Sequence, residues 1–199
     1  MESITVDKDI YDFLQLIYFG GAKDPYEAAS NRAYRDFNRT IRFNGLSDNI
    51  RLQLRTEVTA LLKSEIEQMV CQISTQEDFN AWHYNLCTAI RDIYINHGIE
   101  FHYGQSQKWV NMTIKYLYIS QTHLFEQQFS FLHIPIDNYI IDIAAREFHI
   151  PHPLTPWSRW DHYGNEYMQY QNTLRSKITD LPPLRWEFRN WLNEARKTQ

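Results

Sequence analysis

Four polar side chains in the stretch GQSQKWVNMTIKYLYI are spaced to act together. Gln105, Lys108, Asn111 and Lys115 follow one another at intervals of three, three and four. On a helix that spacing puts them on one stripe. Trp109, Val110, Met112, Ile114, Leu117 and Ile119 cover much of the remaining circumference with apolar surface. The pattern predicts a helix over 104–119 that is largely buried. The stripe is then either the wet side of an amphipathic helix or the floor of a site, with Lys108 as an amine at its centre.

The elements that would position this stripe are helical. Residues 7–18 carry Ile10, Phe13, Leu14 and Ile17 and stop at Gly20-Gly21, a pair suited to a helix end. Asp24-Pro25 opens the next helix, with the acid as cap and the proline in the first turn; the pattern runs to about 43. Ser47 caps a long helix over 48–72. Ser74-Thr75-Gln76-Glu77 has the S-x-x-E form of a capping box and starts a helix over 75–96 that ends at His97-Gly98. A short turn, IEFHY, leads into the 104–119 helix. A further short helix is expected over 121–131, and others over 138–148, 163–178 and 184–196. The proline-rich PHPLTP, 151–156, is expected to be irregular. No segment alternates with period two and β-branched enrichment, so the fold class is all-α. One helical domain over 1–199 fits the length, with a subdivision at 74/75 as the alternative.

Bulk composition narrows the function classes. Hydrophobic residues make up 43% and charged residues 22%, which is globular rather than disordered. The 13 Tyr and 6 Trp form either an aromatic core or a surface that stacks on flat ligands or a partner. Net charge is −4, unlike a protein whose whole task is to coat nucleic acid. Between Ser30 and Lys63, however, seven cations (Arg32, Arg35, Arg39, Arg42, Arg51, Arg55, Lys63) face three anions (Asp36, Asp48, Glu57), a local +4. A few such cations suffice to hold a short stretch of phosphates; a solvated helix pair explains them equally well. Cys71 and Cys87 lack metal or redox spacing and read as buried free thiols. The start MESITVDKDIYDF is acidic where a signal peptide is basic and apolar. With no long apolar run, the expectation is a cytoplasmic protein without a membrane partner.

Chain order now adds a second candidate. A helix ends at His97-Gly98, a short connection reaches Gly104-Gln105-Ser106-Gln107-Lys108, and Ile134-Pro135-Ile136-Asp137 later delivers an acid to a helix start. This order resembles the helix-hairpin-helix DNA glycosylase superfamily, in particular its 8-oxoguanine DNA glycosylase branch. The branch pattern is L-P-G-h-G-x-K followed by V-P-V-D. Gly104 takes the first glycine position, Ser106 replaces the second, Lys108 matches the lysine, and Ile134–Asp137 match V-P-V-D. His102-Tyr103 stand in place of Leu-Pro. Lys108 and Asp137 are 29 positions apart, about ten more than the family pattern, with the extra residues around 120–131. The resemblance covers about 95–148.

The resemblance implies a multi-helix domain with a helix-hairpin-helix-like element and action on DNA carrying an altered base. Such enzymes take the base out of the duplex into a pocket. It implies Lys108 as the amine that attacks C1′ and Asp137 as the carboxylate that stabilises the cationic sugar. A lysine in that role needs its proton labile, which partial burial under Trp109 and Tyr116 beside Lys115 favours. Gly104, Gln105, Ser106, Asn111 and Lys115 would contact base or phosphate, with Arg35, Arg39 and Arg42 rimming the DNA. No cofactor or metal is implied for the chemistry.

Each of these residues has a plainer explanation. Asp137 can be only an N-cap, the lysines only solvated tips of long side chains, and Asn111 a partner for nearby backbone. The alternative function is accordingly a non-catalytic helical module that binds DNA or a protein partner. His149, His152 and His162 with Asp161 raise a metal reading, but Pro151 breaks the helical geometry between the first two.

Overall fold

A computed structural model describes residues 7–22, 24–120 and 122–197. Residues 1–6 of the acidic start, and Gln121 in the 121–131 stretch, lie outside the described residues. Among the described residues the fold has eight α-helices: α1 (Lys8–Phe19), α2 (Pro25–Phe37), α3 (Asp48–Gln72), α4 (Gln76–Ile95), α5 (Tyr103–Ser120), α6 (Asn138–Phe148), α7 (Gln169–Lys177) and α8 (Pro183–Lys197). Among the described residues there is no strand, and no helix is long and apolar enough to cross a membrane.

Local chemistry sets most boundaries. The Asp24 carboxylate accepts from the Tyr26 N–H with Pro25 in the first turn, and the Ser47 hydroxyl accepts from the Ile50 N–H. The box before α4 sits one residue later than its S-x-x-E pattern suggests. Thr75 is the cap, accepting from the Asp78 N–H at 3.1 Å and donating to the Asp78 carboxylate at 2.7 Å. Two expected helices are shorter. The α2 pattern ends at Phe37, where the chain tightens into a 3-10 turn, Asn38–Thr40, before Asn44 and Gly45 take positive φ. In the 121–131 stretch only Thr122–Phe125 is helical, as a 3-10 turn. Cys87 is buried, but Cys71 is exposed, because it lies on the outer side of α3.

The core is one cluster that draws on both halves of the sequence, from Phe37, Leu54 and Ile66 to Trp109, Ile140 and Trp186. At its centre runs α5, with every residue from Tyr103 to Leu117 buried. Helices α2 and α4 pack against it, and α3 packs in turn on α2 and α4; the 3-10 turn Trp157–Arg159 closes over its start. The connection from α4 to α5 has no regular structure over 99–102, and Gly104 lies inside the first turn of α5. A Cβ on Gly104 would stand 1.7 Å from the Trp157 carbonyl oxygen, and the Gly104 N–H donates to the Trp160 carbonyl at 2.9 Å. Glycine is therefore needed for close packing of backbone on backbone. In contrast, α1 buries no side chain and meets the body through Tyr11, whose hydroxyl donates to the Ser120 carbonyl at 2.9 Å, and through Tyr18 and Phe19, both against the Tyr116 ring.

Candidate functional site

One side of α5 opens into a cleft of about 730 Å³, within the range of small-ligand sites. Lys108, Met112, Lys115, Tyr116 and Ile119 face it from α5. Helices α2, α6 and α8 and the turn at Trp157 supply the other walls. The Lys108 Nζ donates to Asp137 Oδ2 at 2.7 Å, with only 5% of the lysine side chain exposed. Asp137 does both things the sequence allows it. Its Oδ1 accepts from the Ile140 N–H at 3.0 Å, capping α6, while Oδ2 holds the lysine.

The segment that brings Asp137 there is Ile134-Pro135-Ile136, and two buried glutamines hold it as a strand partner would. Gln107 Nε2 donates to the Ile136 carbonyl at 3.0 Å and its Oε1 accepts from the Ile136 N–H at 3.3 Å. Gln171 does the same for Ile134, at 2.7 and 3.3 Å. Each glutamine satisfies both polar groups of a residue that has no sheet to join. Gln107 precedes Lys108 in sequence, so helix α5 carries both the lysine and the clamp on the loop that presents its carboxylate.

Behind the clamp lies a closed polar network. His83 Nε2 donates to Asn111 Oδ1 at 3.0 Å, and its Nδ1 accepts from the Tyr103 hydroxyl at 3.1 Å. Asn111 Nδ2 donates to Gln107 Oε1 and to the Tyr167 hydroxyl. Tyr167 donates to His133 Nδ1 at 2.8 Å, and His133 Nε2 donates to Asn80 Oδ1 at 2.8 Å. Both imidazoles are satisfied in the neutral form. Burial pushes His83 down to about 3 and His133 well below its ordinary value.

Those two histidines predict acid sensitivity. Their folded pKa values lie below the unfolded 6.5, so the stability they contribute is present above 6.5 and is lost as pH falls toward the folded values. Between pH 6 and 5 the unfolded chain binds almost two extra protons, a slope of about 2.7 kcal/mol per pH unit. Glu187 works the other way: burial raises its pKa, so it loses stability as pH rises and offsets at most about 1.4 kcal/mol per unit. Urea unfolding at pH 6 and 5 should therefore show a loss of about 1.4–2.7 kcal/mol. Equal stability at the two pH values contradicts the neutral, enclosed histidine pair.

A second buried pair completes the cleft. Lys115 Nζ donates to Glu187 Oε1 at 2.7 Å, and the ammonium stands 4.9 Å from the Phe188 ring centre and 5.4 Å from that of Trp191. The other oxygen, Glu187 Oε2, is buried without a hydrogen-bond partner. Burial raises the Glu187 pKa; Lys115 and Lys108 oppose this. An orphaned acceptor on a wall with Phe188 and Trp191 is suited to a flat ligand that offers an N–H.

The cleft carries five cations (Arg32, Arg35, Arg39, Lys108, Lys115) and three anions (Asp36, Asp137, Glu187). Arg32 pairs with Asp36 at 3.2 Å, so each anion has one cation. Arg35 and Arg39, both exposed, carry the excess, and no acid among the described residues lies within ion-pair distance of either.

Of the residues singled out in the sequence, the fold thus brings Lys108, Asp137, Lys115, Arg35 and Arg39 to one cleft. Arg42 is exposed but stands outside it. Gly104, Gln105, Ser106 and Asn111 are buried and do not line it. Gln105 donates to the Thr40 carbonyl and Asn111 belongs to the histidine network. His149, His152, His162 and Asp161 do not gather, and among the described residues no three His, Cys, Asp or Glu side chains are placed to hold a metal.

Glu187, Gln107 and Gln171 do not stand out as site residues in the sequence, and Phe188 and Trp191 read there only as the apolar face of the last helix with Leu184 and Leu192. For Glu187 there was a signal: it is a carboxylate set in the apolar stripe Leu184, Phe188, Trp191.

No family model matches the chain, and no curated protein or solved structure matches it either.

Proposed function

We propose that the cleft binds a base taken out of DNA and that Lys108 and Asp137 cleave its bond to the sugar. The observation that carries this reading is the Lys108–Asp137 pair, joined at 2.7 Å across 29 positions of sequence and facing a ligand-sized cleft. The aromatic wall at Trp191 and Phe188 takes the base by stacking. Glu187 Oε2 accepts an N–H from the base edge, and Arg35 and Arg39 contact phosphates at the mouth. The buried Gly104 and Ser106 leave that phosphate contact to α2 and the 3-10 turn that follows it.

The chemistry balances on these residues. As the lysine nitrogen bonds to C1′, the C1′–N bond of the base breaks and the base takes the electron pair. A proton leaves the lysine nitrogen for the departing base. The nitrogen keeps its positive charge beside the Asp137 carboxylate, so no charge is left unpaired during the exchange. Ring opening then moves one N–H proton to O4′ and leaves a protonated Schiff base. Borohydride reduces that adduct. Incubation of the protein and borohydride with a duplex carrying an abasic site should yield a covalent protein–DNA adduct. If wild type yields no more adduct than Lys108→Ala, the nucleophile role is wrong. DNA binding that persists without any adduct assigns the cleft to a non-catalytic module.

A further inference from the structure

Of the 15 large apolar side chains that stand exposed among the described residues, seven sit on the 12-residue helix α1. Scattered exposure is ordinary on a protein surface, but a contiguous apolar patch marks a contact. Four of the seven make one stripe. At about 100° per residue, Ile10, Phe13, Leu14 and Ile17 fall within about 100° of arc, and each is 54–65% exposed. Tyr11, Tyr18 and Phe19, which touch the body, lie on the other side of the helix. A helix this short is marginal in water unless its apolar face is packed. The body leaves that face bare, since α1 buries no side chain.

The order of residues says what covers it. From 10 to 17 the stripe reads I-x-x-F-L-x-x-I, the same apolar pattern in either direction. Laid antiparallel on a second copy, about a two-fold axis between 13 and 14, Ile10 meets Ile17 and Phe13 meets Leu14. The same contacts repeat in reverse, as an isologous interface requires. Charge selects the same direction. A parallel pair would set Asp9 beside Asp9. The antiparallel pair puts each Asp9 level with Tyr18 of the other copy, about 13 Å along the axis from its own equivalent. Asp12 is already paired with Lys8. With Asp7, Asp9 and Asp12 against Lys8, the helix is also acidic where one that lies on an anionic bilayer is basic.

We propose that α1 pairs antiparallel with α1 of a second copy of this chain, through Ile10, Phe13, Leu14 and Ile17, to give a two-fold dimer. Each stripe residue leaves about 100 Å² in water. Together with the flanking Leu16, the pairing removes about 1,000 Å² over both copies. That is the low end for a specific interface, which sets a reversible dimer with a Kd of about 10 µM rather than an obligate one. The pairing does not depend on the DNA reading of the cleft.

Sedimentation equilibrium of the chain from about 1 µM to about 200 µM tests it. Wild type should shift from 24.0 kDa toward twice that mass. Phe13→Lys and Leu14→Glu each set a charge against an apolar partner, so each alone should weaken pairing by about tenfold or more. An equal mixture of the two variants should recover the dimer. The antiparallel register sets the new amine of one chain on the new carboxylate of the other and leaves Leu14 on Phe13. Both positions stand outside the core, so urea unfolding at about 1 µM, where wild type is monomeric, should be unchanged. A wild type that stays monomeric throughout overturns the proposal, and binding of that monomer to phosphatidylcholine vesicles reassigns the stripe to a membrane surface. A dimer that survives Phe13→Lys uses another surface and overturns it as well. A mixture that stays monomeric overturns the antiparallel register and with it the dimer proposed here.

Discussion

Asp137→Asn should slow base excision by on the order of a thousandfold, and yet still give a borohydride adduct on a duplex whose base is already gone. The two readouts separate because the carboxylate has two tasks on two oxygens. Oδ1 caps α6 through the Ile140 N–H, and asparagine caps a helix about as well as aspartate. Helix α6 and the placement of the side chain therefore survive. Oδ2 holds the Lys108 ammonium at 2.7 Å. An asparagine in its place offers a dipole where a full negative charge stood. During excision, positive charge develops on the sugar; withdrawing one preorganised electrostatic partner from such a site typically costs about 10²–10³ in rate. At a preformed abasic site that barrier has already been crossed. There no bond to a base remains to be broken, so the adduct depends on Lys108 and not on the Asp137 charge. If Asp137→Asn lowered both readouts equally, or neither, Asp137 would be a cap with no part in the chemistry.

How much of this could be read from the chain divides along physical lines. Local rules place helices well. Asp24-Pro25, Ser47 and Asp137 cap where their side chains can reach the next free N–H groups, and Leu181-Pro182-Pro183 stops the chain where α8 begins. The stripe on α5 shows where such rules end. At about 100° per residue, Lys108 and Lys115 lie about 20° apart around the helix, whereas Gln105 and Asn111 fall about 60° to either side of Lys108. A stripe that broad spans two environments. Its centre looks into the cleft, while Asn111 turns to His83 and Tyr167 and Gln105 turns to Thr40. Periodicity names the face but not the neighbour that will cover it. The partner of Lys115 is 72 positions away on α8, and the clamps on Ile134 and Ile136 come from α7 and α5. Such pairings are set by how helices pack.

Lys115→Met carries the largest expected effect on stability. Lys115 and Glu187 have 8% and 2% of their side chains exposed, so water screens the pair little. Truncating one partner of a buried pair leaves the other charge without compensation, at a cost of about 3–5 kcal/mol. Glu187 would respond by taking up a proton, since burial already raises its pKa and the nearby Lys115 charge opposes that rise. Urea unfolding of Lys115→Met should accordingly show the deficit at pH 7 and a smaller one at pH 5, because a group with a raised folded pKa contributes stability that is lost as pH rises. Adding Glu187→Gln should recover most of the deficit, because no charge then remains to be desolvated. If Lys115→Met is as stable as wild type, or if the second substitution makes matters worse by the same amount, the pair is not coupled as its geometry requires. The double variant also isolates recognition from folding. It restores the body of the protein but replaces the orphaned acceptor Oε2 with an amide, so a stable protein that has lost binding to base-containing DNA, and not to abasic DNA, would place the reading of the base at Glu187.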